Sequence, residues 1–450
     1  MTVVVEETAA HPWFGTHRLQ PAAPVDTLRS LHAYEMRDYG WPTGRVAPMA
    51  PITLPRASRA ELFRATAALL DLVRRTALET APDTAGRLDA YGMPASEHQL
   101  FVDDPFVEER YADCVARPDV VIGPDGPQFL EFNVSGALGG PVEVHGWMRM
   151  WRQVYADDLG RLPFTPEDPF AVRAAMFRDL SDELGVAPRV AVVGSALDQG
   201  VAETRYFDVE ADVFNQLGLP CRFFDPADLH QAWDCAPHLR YPLGLRNFTI
   251  PDWVDLGIDT TPVQAALDNG CLLVGTQTST FLGSKVTLGL LSEGRPWMSA
   301  AERALVERYL PWTRVLGDRR STWRGREVDL LRFAVDNREL LVLKAGLGMS
   351  GKEVVIGAEA EQGEWERAVA EAATLGTSVV QEFVAAQSCR LSVVAADADE
   401  PHVAEIAPVL GPLLFGGRPA GIFARFYTDG SAGIVSIGAG NASDGCVVAL

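Results

Sequence analysis

Only three of the chain's 39 basic side chains are lysine, and Lys285, Lys344 and Lys352 all fall in two short glycine-bearing stretches. A lysine ammonium is a compact point charge that fits among phosphate oxygens where the broad guanidinium fork does not. In LLVLKAGLGMSGKEVVIG an apolar run delivers Lys344, then Gly346, Gly348, Ser350 and Gly351 follow, and a second apolar run departs. Glycines let the backbone come close to a ligand, and their successive N–H groups form an anion-binding nest. No Gly-Lys-Ser/Thr sequence opens a helix, so this is not a P-loop. The pattern predicts a strand–glycine loop–strand flap over nucleotide phosphates, contacted by Lys344, Gly348, Ser350 and Gly351. The other stretch, GTQTSTFLGSKVTLGLL, places Lys285 where a strand region gives way to a helix.

Oxygen ligands come from a separate segment, FLEFNVSGALGG. Glu131 and Asn133 alternate with Phe132, so on a strand both side chains face the same way. Two oxygen donors on one face suit Mg2+, which takes few protein ligands and fills the rest of its shell with phosphate oxygens and water. The eight histidines show no HxH or HxxxH spacing, so a metal would be held by oxygen. Substrate carboxylates call for arginine, which binds them bidentately. Arg117, Arg205, Arg246 and Arg425 are the candidates, and Arg425, inside the apolar strand AGIFARF, is the strongest.

The order of these segments, with Glu131 and Asn133 far ahead of the nucleotide stretches, resembles the circularly permuted ATP-grasp ligases, eukaryotic glutathione synthetase and glutathionylspermidine synthetase among them. The similarity runs from about Arg117 to the C-terminus. It implies ATP and Mg2+ as cofactors, Glu131 and Asn133 as metal ligands, and Lys285 and Lys344 as ATP lysines. It makes SVVQEFV the hinge, with Gln381, Glu382, Phe383 and Val384 lying along the adenine edge. Arg117 and Ser135 would bind substrate, and ETRYFDVEADVF, similar to the family's "ERNIFDQ" segment, adds Arg205. Arg425 matches the late arginine that steadies the transferred phosphoryl group. Two positions depart from the family: Gly348 stands where a flap glutamate supplies a third metal ligand, and Ala137 replaces a second serine. Metal coordination is then complete only if another acid substitutes.

The expected fold is α/β with α+β lobes, a permuted ATP-grasp with a small doubly wound substrate lobe. At 450 residues more than one core is expected. Residues 1–165 carry a helix and the metal-binding hairpin, 166–275 read as the βαβ substrate lobe, and 276–450 as the nucleotide lobes. Within the first region, ASRAELFRATAALLDLVRRTALE predicts an amphipathic helix with Ser58 as N-cap and Glu61 completing the box. PDVVIGPDGPQFLEFN predicts a hairpin around Gly-Pro-Asp-Gly.

A net charge of −21 argues against nucleic acid, whose phosphates need a basic surface. No apolar run is long enough to span a bilayer, and the N-terminus carries acids where a signal peptide needs bases, so a cytoplasmic protein with reduced cysteines is expected. Expected partners are small amino-acid or peptide substrates, with neither nucleic acid nor membrane, and a homodimer stays open. The chemistry implied is ligation: a carboxylate attacks the γ-phosphate of ATP, and an amine displaces phosphate from the acyl-phosphate. A nucleotide-regulated binding protein and a phosphotransferase stay open beside it, and substrate-dependent ADP release separates them.

Overall fold

Apolar runs along 115–133, 409–426 and 443–449 build the largest sheet of the computed structural model, which describes residues 4–6, 11–36, 46–93, 100–197, 205–348, 353–395, 398–428 and 442–450. Ser350, Gly351 and Lys352 of the flap lie outside the described residues. The sheet has six strands in the order Ile52–Leu54, Ser443–Ala449, Arg418–Phe426, Val409–Phe415, Val115–Gly123 and Gly126–Asn133. All neighbours are antiparallel except the first pair. Successive side chains on a strand face opposite ways, so Ile422 and Phe423 enter different cores. Ile422 joins Val120, Phe129 and the Leu62, Leu69 and Val73 stripe of helix Arg56–Glu79. Phe423 joins Trp147 and Trp151 of helix Pro141–Tyr155 and Phe177 of helix Pro169–Leu184.

The first helix does not start where the capping pattern placed it. It begins at Arg56, with Pro55 as N-cap, so Ser58 and Glu61 lie inside it. Pro55 closes the preceding strand and its fixed φ already suits a helix start. Ser58 Oγ instead donates to the Trp13 carbonyl at 2.7 Å, and Glu61 accepts from Arg308 Nη2 at 2.6 Å and from the Tyr309 hydroxyl at 2.9 Å. The hairpin forms around Pro124 and Asp125, with Gly126 at φ 117°. Its register sets Arg117 opposite Asn133 and Asp119 opposite Glu131, with an irregularity between Asp119 and Val120.

Between residues 190 and 274 the strands Leu272–Val274, Leu243–Arg246, Val190–Val193 and Cys221–Phe224 form a parallel sheet in that order. Val190 and Val192 pack with Phe177 and Phe214, while Ala191 and Val193 pack with Leu229, Trp253 and Val263. Both faces are therefore covered, as a parallel sheet requires. A buried ion pair, Arg173 Nη1 to Glu210 Oε1 at 2.7 Å, ties helix Pro169–Leu184 to helix Tyr206–Gln216.

A third sheet is antiparallel, in the order Thr313–Val315, Ser378–Glu382, Leu341–Ala345 and Val354–Ile356. Helices Leu330–Asp336 and Gln362–Leu375 cover one face around the fully buried Trp365. Among the described residues no helix is long and apolar enough to cross a membrane. The cysteines are all free thiols.

Candidate functional site

Asp119 and Glu131 face one another across the hairpin ladder, and basic side chains from four other places close around them. Arg117, two residues before Asp119 and on the same side of the strand, holds Nη2 3.4 Å from Asp119 Oδ1. Arg425, on the strand two places along the sheet, reaches Asp119 Oδ2 at 2.5 Å. Lys285, the first residue of helix Lys285–Glu293, places Nζ 3.2 Å from Glu131 Oε2 and 2.9 Å from the Gly348 carbonyl. Lys344 crosses from the third sheet to the hairpin, donating to the Leu130 carbonyl at 3.2 Å and to Gln381 Oε1 at 2.6 Å. Asn133 donates through Nδ2 to the Arg117 carbonyl at 3.2 Å and to Glu131 Oε1 at 3.4 Å.

The electrostatics follow from this geometry. Burial would raise the Glu131 carboxyl, but Lys285 and Lys344 outweigh it and hold the group well below the usual range. Burial brings the Lys344 ammonium down to about 8, with Glu131 partly opposing and Lys285 adding to the fall. Burial likewise lowers Arg117 against the pull of Asp119, whereas at Arg425 the Asp119 pair overcomes burial and raises the guanidinium. Arg117, Arg425, Lys285 and Lys344 outnumber Asp119 and Glu131, so the cluster is net positive in a strongly acidic protein.

Not all the residues singled out in the sequence join this cluster. Gln381 does, bridging Lys344, the Leu130 carbonyl and Thr313. Glu382 and Phe383 lie beside it, but their N–H groups are committed to the Trp312 and Leu340 carbonyls, and Glu382 accepts from Arg324 at 2.8 Å. Val384 lies against Gly123, at the turn of the hairpin. Ser135 is half-buried in the loop after Asn133. Arg205 is exposed at the head of its helix and pairs with Asp212. Arg246 is spent inside the parallel-sheet region, on Gln277 and the Leu100 carbonyl, where burial brings it down to about 10. Its backbone supports the site all the same: a Cβ on Gly136 would lie 1.8 Å from the Arg246 carbonyl oxygen.

Asp119 was missed in the sequence, where PDVVIG reads as a strand entry. The signal was the two-residue spacing from Arg117, which mirrors Glu131 and Asn133 on the partner strand. The donor set can hold a divalent cation: Asp119 and Glu131 are register partners with Asn133 two residues on, and Asp119 Oδ1 is buried with Arg117 at 3.4 Å as its charged neighbour. The same surroundings leave Arg117 Nε buried with no hydrogen-bond partner, as a donor awaiting an anionic ligand would be. A cavity of about 270 Å³, lined by Arg18, Gln20, Thr53, Cys389 and Ser392, lies beside strand Ile52–Leu54 at the opposite edge of the large sheet and shares no residue with the cluster.

No protein-family model matches the chain, and no curated protein sequence matches it. Among solved structures, a glutathione synthetase-like effector from Globodera pallida aligns over 98% of this chain and 99% of its own, with a TM-score of 0.56 at 12% identity. The two chains share a fold. A candidate gamma-glutamylcysteine synthetase from Methylobacillus flagellatus KT aligns over 85% of this chain and 88% of its own, with a TM-score of 0.43 at 14% identity. The architecture is thus that of the glutathione synthetase-like effector, a mixed α/β fold of several sheets.

Proposed function

We propose that this chain is an ATP-dependent carboxylate–amine ligase of the permuted ATP-grasp type, acting through an acyl-phosphate on amino-acid or short-peptide substrates. The observation that carries the reading is the convergence of Lys285, Lys344, Arg117 and Arg425 on the Asp119–Glu131 pair between the large sheet and the third sheet. A net positive, carboxylate-bearing cluster complements a magnesium–triphosphate, whose phosphates would take the lysines and whose cation would take the acids. Asp119 fills the ligand role left open by Gly348, so Asp119, Glu131 and Asn133 form the metal set. Bound there, Mg2+ would withdraw charge from the phosphate oxygens.

The chain's own residues supply the rest. Lys344 and Lys285 neutralise the transferring phosphoryl group. Arg425 and Arg117 stand beside the acids to hold the acyl-phosphate and the oxyanion of the tetrahedral intermediate. Residues 381–384 lie along the base and 166–275 form the substrate lobe; Arg205 of that lobe and Ser135 of the loop after Asn133 contact the acid, Arg205 exchanging Asp212 for a substrate carboxylate. Arg246 holds the glycine-rich loop from beneath. Catalysis on this plan is positioning and electrostatics, with no nucleophilic side chain.

The test is ADP release from ATP and Mg2+ across pairs of amino acids and short peptides, with mass detection of the amide. Sustained ADP release that needs both acid and amine, together with the amide, is the expected result. Sustained ADP release with the acid alone indicates a phosphotransferase. Nucleotide binding with no substrate-dependent ADP indicates a binding protein, and either outcome removes the ligase.

A further inference from the structure

One peptide plane in the glycine-rich loop is held from both ends by charged side chains. The Gly139 carbonyl accepts from Arg117 Nη1 at 2.9 Å. The N–H of the same peptide, that of Gly140, donates to Glu143 Oε2 at 2.7 Å. Gly140 caps helix Pro141–Tyr155 at φ 111°, and a Cβ there would lie 3.1 Å from the Phe423 ring, so the plane has little room to turn. Glu143 is 4% exposed and has no solvent to satisfy it. A peptide that donates to a carboxylate becomes a better acceptor at its carbonyl, because linked hydrogen bonds polarise one another.

We propose that Glu143 is a positioning residue of this site: through the Gly139–Gly140 peptide it holds the Arg117 guanidinium toward Asp119. The idea rests on the ligase reading only for its consequence, that Arg117 is placed for the acid substrate. An ionised carboxylate grips an N–H more strongly than a neutral acid does, so the hold depends on the charge of Glu143. Burial, with Asp444 of strand Ser443–Ala449 adding to it, raises that carboxyl to about 7, while its own backbone N–H, the Gly140 N–H and Arg117 of strand Val115–Gly123 pull it down. Tyr206 of helix Tyr206–Gln216 also faces it, and its phenol is pushed well above its usual value by burial and by Glu143, so it stays neutral. The grip is therefore weak below neutral pH and full above it.

The experiment is amide exchange at Gly140 in the full chain, followed by NMR, with the Arg117 Nε–H signal read alongside. In wild type, protection corrected for the intrinsic rate should rise about tenfold between about pH 6 and about pH 8, the scale of strengthening one hydrogen bond by a charge. Glu143→Gln keeps an acceptor oxygen and the cap, and should show intermediate protection with no pH dependence. Glu143→Ala should lose the protection and broaden the Arg117 signal. In turnover, kcat/KM for the acid should carry an ascending limb near pH 7 that Glu143→Gln removes. Protection that is flat with pH in wild type, or that stays pH-dependent in Glu143→Gln, overturns the proposal. The exchange measurement needs no substrate, so it decides this point even if no ligase activity exists.

Discussion

Asp119→Asn is expected to abolish metal-supported nucleotide binding and turnover, and to destabilise the folded chain by about 3 kcal/mol, the cost of removing one partner from a buried charge group. The size of the effect follows from what Asp119 holds. Arg425 lies 2.5 Å from one of its oxygens and Arg117 3.4 Å from the other, and both guanidiniums are buried. The amide keeps the shape but removes the carboxylate paired with both arginines, and it turns one oxygen ligand into a donor. Calorimetric titration of ADP at several Mg2+ concentrations, beside urea unfolding, reads both parts. An unchanged magnesium requirement in Asp119→Asn would remove the acid from the metal set even if stability fell.

Lys344→Met is the second large effect, a loss of about 2 to 5 kcal/mol in nucleotide affinity, the scale of truncating one side of a buried charge pair. Methionine fills the space, so the packing between the third sheet and the hairpin persists. The wild type should also bind nucleotide more weakly as pH rises through about 8, where the ammonium gives up its proton. A bound phosphate raises that value again, so binding near pH 8 takes up a proton and its enthalpy depends on the buffer. Lys344→Met should show neither trend. For the empty protein the sign is opposite: the unfolded chain keeps this proton up to 10.5 and the folded chain only to about 8, so stability rises with pH between the two. Wild-type affinity in Lys344→Met would place the nucleotide elsewhere.

The parts of the site legible in the sequence were those set by local periodicity. Glu131 and Asn133 share a face because strands alternate, and the lysine-bearing stretches stood out because lysine is so rare here. Asp119 was hidden because its role comes from register: only when Val115–Gly123 pairs with Gly126–Asn133 does it meet Glu131. Arg246 stood out as a carboxylate ligand, but its guanidinium is absorbed by Gln277 and Leu100, remote in sequence, which no local pattern shows. The Ser58 cap failed for a local reason, since Pro55 starts the helix first. Glu143 lies in the first turn of its helix, and its importance lies in which carbonyl its peptide partner carries, which no local pattern shows.

The central claim is that this cluster makes an acyl-phosphate, and isotope transfer tests it most directly. Once the ADP-release screen has supplied the acid, that acid is labelled with oxygen-18 in its carboxylate and incubated with ATP, Mg2+ and the amine. One labelled oxygen per turnover should appear in the released phosphate, because the carboxylate attacks the γ-phosphorus and the amine then expels that oxygen with phosphate. Hydroxylamine in place of the amine should trap the intermediate as a hydroxamate, and Arg425→Ala should slow this trapping by ~10²-fold, the scale of losing one preorganised donor. Unlabelled phosphate, or label in AMP with release of pyrophosphate, would contradict the account.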